Sequence, residues 1–160
     1  MASNHASNLD PVALGVAVSP RCLNYMAKYE LFKNPFFSWW LYKVGAFPLK
    51  RESADLSAIR EAMRRVKAGG GLLLFPEGTR STDGTALKPQ EGVGFLTVKL
   101  GVPVIPAFVK GTYDALPKGA KFIRPKKVCV YFGRQISVER GSPYQQIARD
   151  IMDNIRRLAC

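Results

Sequence analysis

The sequence has few of the residues that build metal centres and disulfide frameworks. Its 160 residues include one histidine, His5, and three scattered cysteines, Cys22, Cys129 and Cys160. A single histidine with no ligand cluster beside it does not make a typical zinc site, so we expect no metal and no other resident cofactor. An odd number of scattered cysteines is typical of a protein kept in a reducing compartment.

Long apolar runs and acidic residues are also scarce. No apolar run approaches the roughly 20 residues that a transmembrane helix needs, and no signal peptide is visible, because the N-terminus passes directly into polar residues. The chain has 24 basic and 12 acidic residues, which gives a formal net charge of +12. Such a charge favours an anionic partner: a phosphate-bearing substrate, an acidic protein, an anionic membrane or a nucleic acid.

What is present is an alternation of strands and helices over a length that suits one domain. Apolar residues at helical spacing predict an amphipathic helix over residues 53–67, and Ser142-Pro143-Tyr144-Gln145 reads as a capping box before another. Short apolar runs at residues 72–75, 104–109 and 128–132 predict strands. The sequence therefore predicts an α/β fold, a mostly parallel mixed sheet flanked by helices.

His5 is a natural candidate for a catalytic base. An unperturbed imidazole titrates near neutral pH and can accept a proton from a weak nucleophile. Asp10, five residues further on, can hold the ring in one tautomer, as the acid does in hydrolase triads. The alternative is structural: Asp10 caps a helix that begins at Pro11, and His5 is a surface loop residue. This pair alone does not decide between the two.

A second polar segment, residues 75–81 (Phe-Pro-Glu-Gly-Thr-Arg-Ser), follows an apolar strand. It therefore lies at the carboxyl end of that strand, where open α/β sheets bind ligands. Gly78 lets the backbone approach a ligand closely, and the planar guanidinium of Arg80 suits a phosphate. The alternative is a turn with a surface Glu–Arg pair.

Four sequence blocks in this order resemble the glycerolipid acyltransferases, the family of 1-acyl-glycerol-3-phosphate acyltransferases. The blocks are residues 4–11 (Asn-His-Ala-Ser-Asn-Leu-Asp-Pro), 45–51 (Gly-Ala-Phe-Pro-Leu-Lys-Arg), 75–81 and 102–107 (Val-Pro-Val-Ile-Pro-Ala). The resemblance implies a glycerol-3-phosphate acyltransferase type of fold and one acyltransferase domain over residues 1–160. The strand and hydrophobic helices that usually precede the first block are missing, so we expect a truncated domain or a fragment of a longer protein.

The resemblance also implies a reaction. His5 would deprotonate a hydroxyl that attacks an acyl thioester, and Asp10 would orient His5. The donor would be acyl-CoA or acyl-carrier protein, the acceptor lysophosphatidic acid and the product phosphatidic acid. The implied acceptor-binding residues are Lys28, Arg51, Glu77, Gly78, Thr79 and Arg80.

Three alternatives remain open at this point. The same chemistry can act on glycerol 3-phosphate or on another lysophospholipid, or the chain can be a non-catalytic lipid- or phosphate-binding module. A nucleic-acid binder would account for the charge, but it leaves the four blocks unexplained, so we expect no nucleic-acid partner.

Two further segments concern the membrane. Residues 36–42 are rich in aromatic side chains and lie between Lys33 and Lys43, which suits a headgroup interface or, equally, a buried helix. Both can hold if one face of the helix points inward and the other points toward lipid or an acyl chain. A basic run between two strands is either a solvated loop or a docking site for acidic acyl-carrier protein or an anionic membrane. Its members are Lys118, Lys121, Arg124, Lys126 and Lys127. We expect a peripheral protein on the cytoplasmic face of a membrane.

Overall fold

The computed structural model describes residues 1–50, 55–138 and 141–159. Within these residues the strands are β1 (Ala2–Ser3), β2 (Leu23–Lys28), β3 (Ala46–Leu49), β4 (Gly71–Leu73), β5 (Pro106–Lys110) and β6 (Cys129–Phe132). The helices are α1 (Asp10–Ala17), α2 (Pro35–Lys43), α3 (Leu56–Lys67), α4 (Glu91–Leu100), α5 (Thr112–Ala115) and α6 (Tyr144–Arg157). A single 3₁₀ turn, Tyr29–Phe32, separates β2 from α2.

The strands form a mixed sheet in the order β3-β2-β4-β1-β5-β6. Two three-stranded groups, β3-β2-β4 and β1-β5-β6, meet where Ala2 pairs in parallel with Leu74, just beyond β4. All neighbouring pairs among the described strands are parallel except β5 and β6, which are antiparallel. The predicted fold class, a mostly parallel mixed sheet flanked by helices, is confirmed.

The strand before the first block is present, although it is short. Ala2–Ser3 is fully buried between β4 and β5, and the Ala2 amide donates to the Ile105 carbonyl at 2.9 Å. On the other side, the Ser3 amide donates to the Leu74 carbonyl at 3.0 Å. The prediction that this strand is missing is therefore wrong, and residues 4–11 leave the carboxyl end of a central strand.

Helices cover both faces of this sheet. Successive side chains of a strand point to opposite faces, and β4 shows the consequence. Leu73 packs with Leu14 of α1, whereas Leu72 and Leu74 pack with α3 and with Leu96 of α4. Accordingly, α1 lies on one face, and α3 and α4 lie on the other.

The last helix completes the second face. Ile147, Ile151 and Ile155 of α6 are buried at helical spacing, as the sequence predicted. Helix α4 approaches α6 so closely that a Cβ on Gly94 would lie 2.0 Å from the Tyr144 carbonyl oxygen, which is why glycine occupies that position. The predicted capping box is wrong, because Pro143 occupies the N-cap position and no side chain caps the helix.

Helix α2 is capped at its start, but most of its side chains are exposed. The Asn34 side chain caps it by accepting from the Phe37 amide at 3.1 Å. Of its side chains only Leu41 is buried, while Phe36 is 80% and Trp39 59% exposed. The alternative of a buried aromatic helix is therefore wrong. No described helix is both long enough and apolar enough to cross a bilayer.

Candidate active site

The order of the strands creates a crevice between β1 and β4. The connection from β1 to β2 runs through α1 on one face, and that from β4 to β5 runs through α4 on the other. Where connections from two neighbouring strands leave on opposite faces, a crevice opens beyond their carboxyl ends and commonly binds ligands. His5 follows β1, and residues 75–81 follow β4. Both polar segments predicted from the sequence therefore meet at this crevice.

His5 and Asp10 form a hydrogen-bonded pair at this edge. His5 Nδ1 lies 2.9 Å from Asp10 Oδ2, and the Asp10 side chain is fully buried. Oδ2 also accepts from the amides of Ala6 at 2.7 Å and Ser7 at 2.8 Å. An ionised carboxylate only accepts hydrogen bonds, so Nδ1 carries the ring proton and Nε2 presents its lone pair.

Asp10 does not cap a helix. The N-cap of α1 is Leu9, and the amides bound by Asp10 belong to the loop that precedes the helix. The structural alternative for Asp10 is therefore wrong. Its carboxylate organises the loop and the imidazole together.

Thr112 also contacts Asp10, and sequence reasoning did not single this residue out. Its side chain is buried and donates to Asp10 Oδ1 at 2.5 Å. It is placed there by Gly111, which has a φ of 92° and a Cβ position only 2.1 Å from the Lys127 carbonyl oxygen. The available signal was a Gly-Thr pair directly after the carboxyl end of β5, which is the edge where site residues gather.

The segment after β4 fixes His5 from the other side. The imidazole stacks on Phe75 with ring centroids 4.0 Å apart and planes inclined by 18°. The His5 amide donates to Glu77 Oε1 at 3.0 Å, and the His5 carbonyl accepts from the Ser81 amide at 2.8 Å. Ring and backbone are therefore both held before any substrate binds.

The Glu77 carboxylate accepts hydrogen bonds from two backbone amides. Its side chain is buried, and its second oxygen accepts from the Leu87 amide at 3.1 Å. Burial raises the pKa of Glu77, and the two amide hydrogen bonds oppose this shift. Because both oxygens already have main-chain donors, Glu77 positions the His5 loop. This geometry differs from the acceptor contact that the resemblance implied.

Two other residues of the first block also support the loop. Asn4 bridges to β5, accepting from the Val109 amide at 2.8 Å and donating to the Val109 carbonyl at 3.0 Å. The Ser7 hydroxyl donates to the Leu116 carbonyl at 2.7 Å. Neither side chain is therefore placed as a nucleophile.

Of the remaining predicted site residues, those that the structure describes lie along the same edge of the sheet, and no hydrogen bond joins them to one another. Gly78 has a φ of 67°, Thr79 is exposed, and Arg80 is half-buried without a hydrogen bond to any described residue. Lys28 is exposed at the end of β2, the neighbour of β4. Arg51 lies outside the described residues, two positions after the end of β3.

A cleft of about 150 Å³ opens beside His5. It includes a cationic residue that the sequence did not single out, Arg156 of α6, whose charge also opposes the raised pKa of Glu77. In the part of the chain that the structure describes, no cluster of three or more histidine, cysteine or carboxylate side chains could hold a metal ion. The ionisable side chains that line the cleft are those of His5, Glu77 and Arg156.

Comparison with known proteins identifies the family. The family model described as Acyltransferase matches residues 1–110. The chain belongs to the acyltransferase family. The resemblance of its four blocks is thereby confirmed, because all four lie within the matched residues.

Individual relatives agree with this assignment. A 1-acyl-sn-glycerol-3-phosphate acyltransferase of Bacillus subtilis is 35% identical over 113 residues, 69% of this chain and 55% of that protein. A lyso-ornithine lipid O-acyltransferase of Pseudomonas aeruginosa is 32% identical over 152 residues, 93% of this chain and 57% of that protein. The crystal structure of the 1-acyl-sn-glycerophosphate acyltransferase PlsC from Thermotoga maritima matches with a TM-score of 0.78 and 29% identity, covering 99% of this chain and 64% of that one. The chain thus spans roughly half to two thirds of the length of these relatives.

Proposed function

We propose that residues 1–160 form the acyltransferase domain of a 1-acyl-glycerol-3-phosphate acyltransferase. It transfers a fatty acyl group from acyl-CoA or acyl-carrier protein to the free hydroxyl of lysophosphatidic acid and yields phosphatidic acid. The observation that carries this proposal is the His5–Asp10 pair at the carboxyl edge of the sheet, in which Asp10 accepts hydrogen bonds from the imidazole, two amides and Thr112.

The chemistry follows from the free nitrogen of the imidazole. Nε2 of His5 removes the proton of the acceptor hydroxyl while the oxygen attacks the thioester carbonyl carbon. The resulting tetrahedral intermediate collapses with loss of the C–S bond, and the imidazolium returns the proton to the leaving thiolate. Asp10 stabilises the transient positive charge on His5. No covalent acyl-protein intermediate and no resident cofactor are required.

The order of strands suggests how the acceptor is held. β2, β4 and β1 are neighbours in the sheet, and Lys28, Arg80 and His5 lie at or after their carboxyl ends in turn. Neighbouring strands lie about 4.8 Å apart, so a phosphate bound by the cations lies within a few strand spacings of the base. Binding energy from the phosphate would then orient the reacting hydroxyl.

A second acceptor is favoured by one specific observation. The relative from Pseudomonas aeruginosa, which matches most of this chain, is named for a lyso-ornithine lipid. An ornithine headgroup carries an amine and a carboxylate and has no phosphate. Arg80 and Lys28, as cations, complement a phosphate better than a headgroup whose amine offsets its carboxylate, and for this reason we place lysophosphatidic acid first.

We also propose peripheral binding at the cytoplasmic face of a membrane. Both lipid partners in the reaction reside at a bilayer, and α2 presents exposed Phe36 and Trp39 beside Lys33 and Lys43. Aromatic rings next to lysines are typical of the headgroup region.

Thiol release tests this proposal directly. Palmitoyl-CoA and palmitoyl-carrier protein are each offered with lysophosphatidate, glycerol 3-phosphate or lyso-ornithine lipid in detergent. We expect release that depends on lysophosphatidate, and the more active thioester identifies the donor. Thiol release with lyso-ornithine lipid, and not with lysophosphatidate, would identify lyso-ornithine lipid as the acceptor. Binding of lysophosphatidate by the folded chain without any thiol release would show a non-catalytic module.

A further inference from the structure

A cationic loop joins α5 to β6, and we define it as residues 116–128. All of its basic side chains are exposed, and the loop contains no acidic residue. None of them forms an ion pair with a carboxylate of the described residues. They are Lys118, Lys121, Arg124, Lys126 and Lys127. The loop therefore presents a concentrated positive charge that the fold itself does not neutralise.

Two large apolar side chains stand in the middle of this charge. Phe122 is 83% exposed and Ile123 is 64% exposed, and they lie between Lys121 and Arg124. Single exposed apolar residues are ordinary on protein surfaces. An adjacent aromatic and aliphatic pair enclosed by cations is instead the arrangement found where a segment enters the headgroup region of an anionic bilayer.

The base of the loop contacts neighbours of the His5–Asp10 pair. The Leu116 carbonyl accepts from the hydroxyl of Ser7, which lies in the same loop as His5. At the other end, the Lys127 carbonyl packs against Gly111, the residue before Thr112. The Arg124 amide donates to the Ala115 carbonyl at 2.8 Å and holds the middle of the loop near α5. The cationic loop is therefore connected through Ser7 and Gly111 to the segments that hold His5 and Asp10.

From these observations we propose that the cationic loop docks the active site on an anionic lipid bilayer. Its lysines and Arg124 bind lipid phosphates, and Phe122 and Ile123 insert among the acyl chains. This inference rests on the proposed function, because it brings His5 to the surface that holds a lipid acceptor. An acidic carrier protein would complement the cations equally well, but it gives no reason for an exposed Phe122–Ile123 pair. The bilayer accounts for both features.

The experiment measures sedimentation of the 160-residue chain with vesicles of phosphatidylcholine alone or with added phosphatidylglycerol, without any acyl donor. The charge-reversal variant is Lys121→Glu, Arg124→Glu and Lys126→Glu. Its control reverses three exposed cations of α3 and α4, Arg60→Glu, Lys67→Glu and Lys99→Glu.

The apolar variant is Phe122→Ser with Ile123→Ser. Its control is Leu56→Ser with Val102→Ser, two apolar residues that are also exposed. Circular dichroism verifies that each variant is folded.

We expect wild type to bind phosphatidylglycerol vesicles more tightly than phosphatidylcholine vesicles. Reversal of the loop charges weakens this binding by more than about tenfold, because each surface cation contributes to attraction by anionic lipid. The apolar variant weakens it by about tenfold or more, since inserted apolar area adds to the affinity. Both control variants bind within about twofold of wild type, as expected for charges and apolar groups away from the contact.

Equal weakening by the loop and control charge reversals would overturn the proposal, since net charge alone would then explain the binding. Unchanged vesicle binding by the apolar variant would also overturn it. If, in addition, the charge-reversed loop lost binding to purified acyl-carrier protein, the loop would be a carrier-protein dock. Vesicle binding and thiol release test the two proposals separately. Vesicle binding that depends on the cationic loop, without thiol release, contradicts only the proposed function. Thiol release that depends on the acceptor, without vesicle binding that depends on the loop, contradicts only this inference.

Discussion

The hydroxyl of Thr112 donates a hydrogen bond of 2.5 Å to Oδ1 of Asp10, across 102 residues of sequence. Both side chains are buried, so this bond connects the end of β5 to the His5–Asp10 pair where water does not compete. It fixes the carboxylate that orients His5. Thr112 is therefore a positioning residue, and it lies outside the residues matched by the family model.

Replacement of Thr112 by valine tests this role, because valine keeps the shape and removes the hydroxyl. The change leaves Asp10 Oδ1 without its donor and should lower the free energy of unfolding by about 1–3 kcal/mol. We expect kcat to fall between about tenfold and a hundredfold, the range that a small misplacement of a catalytic group produces. Thr112→Ser should restore both kcat and stability. A serine variant as impaired as the valine variant would show that packing, and not the hydroxyl, matters.

Asp10→Asn tests the orientation of the imidazole. Asparagine can accept from some of the present donors, but its amide group no longer requires the proton on Nδ1 of His5. We expect kcat to fall by about 10³- to 10⁴-fold, as loss of the correct tautomer does in a triad. The matched control is Asp114→Asn, an exposed aspartate of α5 without a hydrogen bond to any described residue. Similar rates for Asp10→Asn and the control would remove Asp10 from catalysis.

Glu77→Gln separates positioning from substrate binding. The glutamine oxygen can accept from the amide of His5 or of Leu87, and its NH₂ group then faces the other donor. We expect kcat to fall by about tenfold or more while the acceptor KM changes little. The control is Glu91→Gln on the exposed start of α4. A rise in acceptor KM at unchanged kcat would instead support the direct contact implied by the resemblance.

The raised pKa of Glu77 also predicts that the free energy of unfolding depends on pH. Burial raises the pKa of Glu77 above its ordinary value of 4.5, so the folded state binds the proton more tightly than the unfolded state. The free energy of unfolding contributed by this group should therefore fall as pH rises from 4.5 through the raised pKa. Glu77→Gln should lack that decline in denaturant titrations at several pH values. Parallel pH profiles for the two proteins would contradict this result.

Arg80→Ala tests the proposed phosphate site. Arg80 has no hydrogen bond to a described residue, so its guanidinium is available to a ligand. Loss of a charge-assisted contact should raise the acceptor KM by about tenfold to a hundredfold and leave kcat less affected. The control is Lys88→Ala, which removes an exposed cation. An unchanged KM for lysophosphatidate would exclude Arg80 from the site.

The sequence predicted those parts of the fold that depend on local pattern. The apolar runs located β4, β5 and β6, and the five-residue spacing of His5 and Asp10 indicated the pair that the structure shows hydrogen-bonded. The sequence did not predict β1, because two residues carry no periodicity and the strand exists only through its pairing with Leu74 and β5. The predicted capping box failed for a related reason, since packing of α4 against Tyr144 positions the start of α6.

In the candidate site, too, the sequence predicted local relationships and missed long-range ones. His5 and Asp10 could be named because five residues separate them, whereas the Thr112–Asp10 bond depends on the sheet bringing β1 and β5 together. Glu77 was located correctly, but a sequence does not show that its carboxylate turns inward to two backbone amides. Residue types and short spacings in the sequence therefore predict candidate site residues, but they do not predict hydrogen-bond partners that are distant in the sequence.

The most direct test of the whole account compares wild type with His5→Ala for thiol release from the preferred acyl thioester, with and without lysophosphatidate. Because His5 Nε2 is proposed as the base, removal of the imidazole should lower acceptor-dependent release by about 10²- to 10⁴-fold. Binding of lysophosphatidate, measured by calorimetry, should persist in the variant, since the cations proposed to bind the phosphate remain. Near-normal turnover by folded His5→Ala would contradict the central claim.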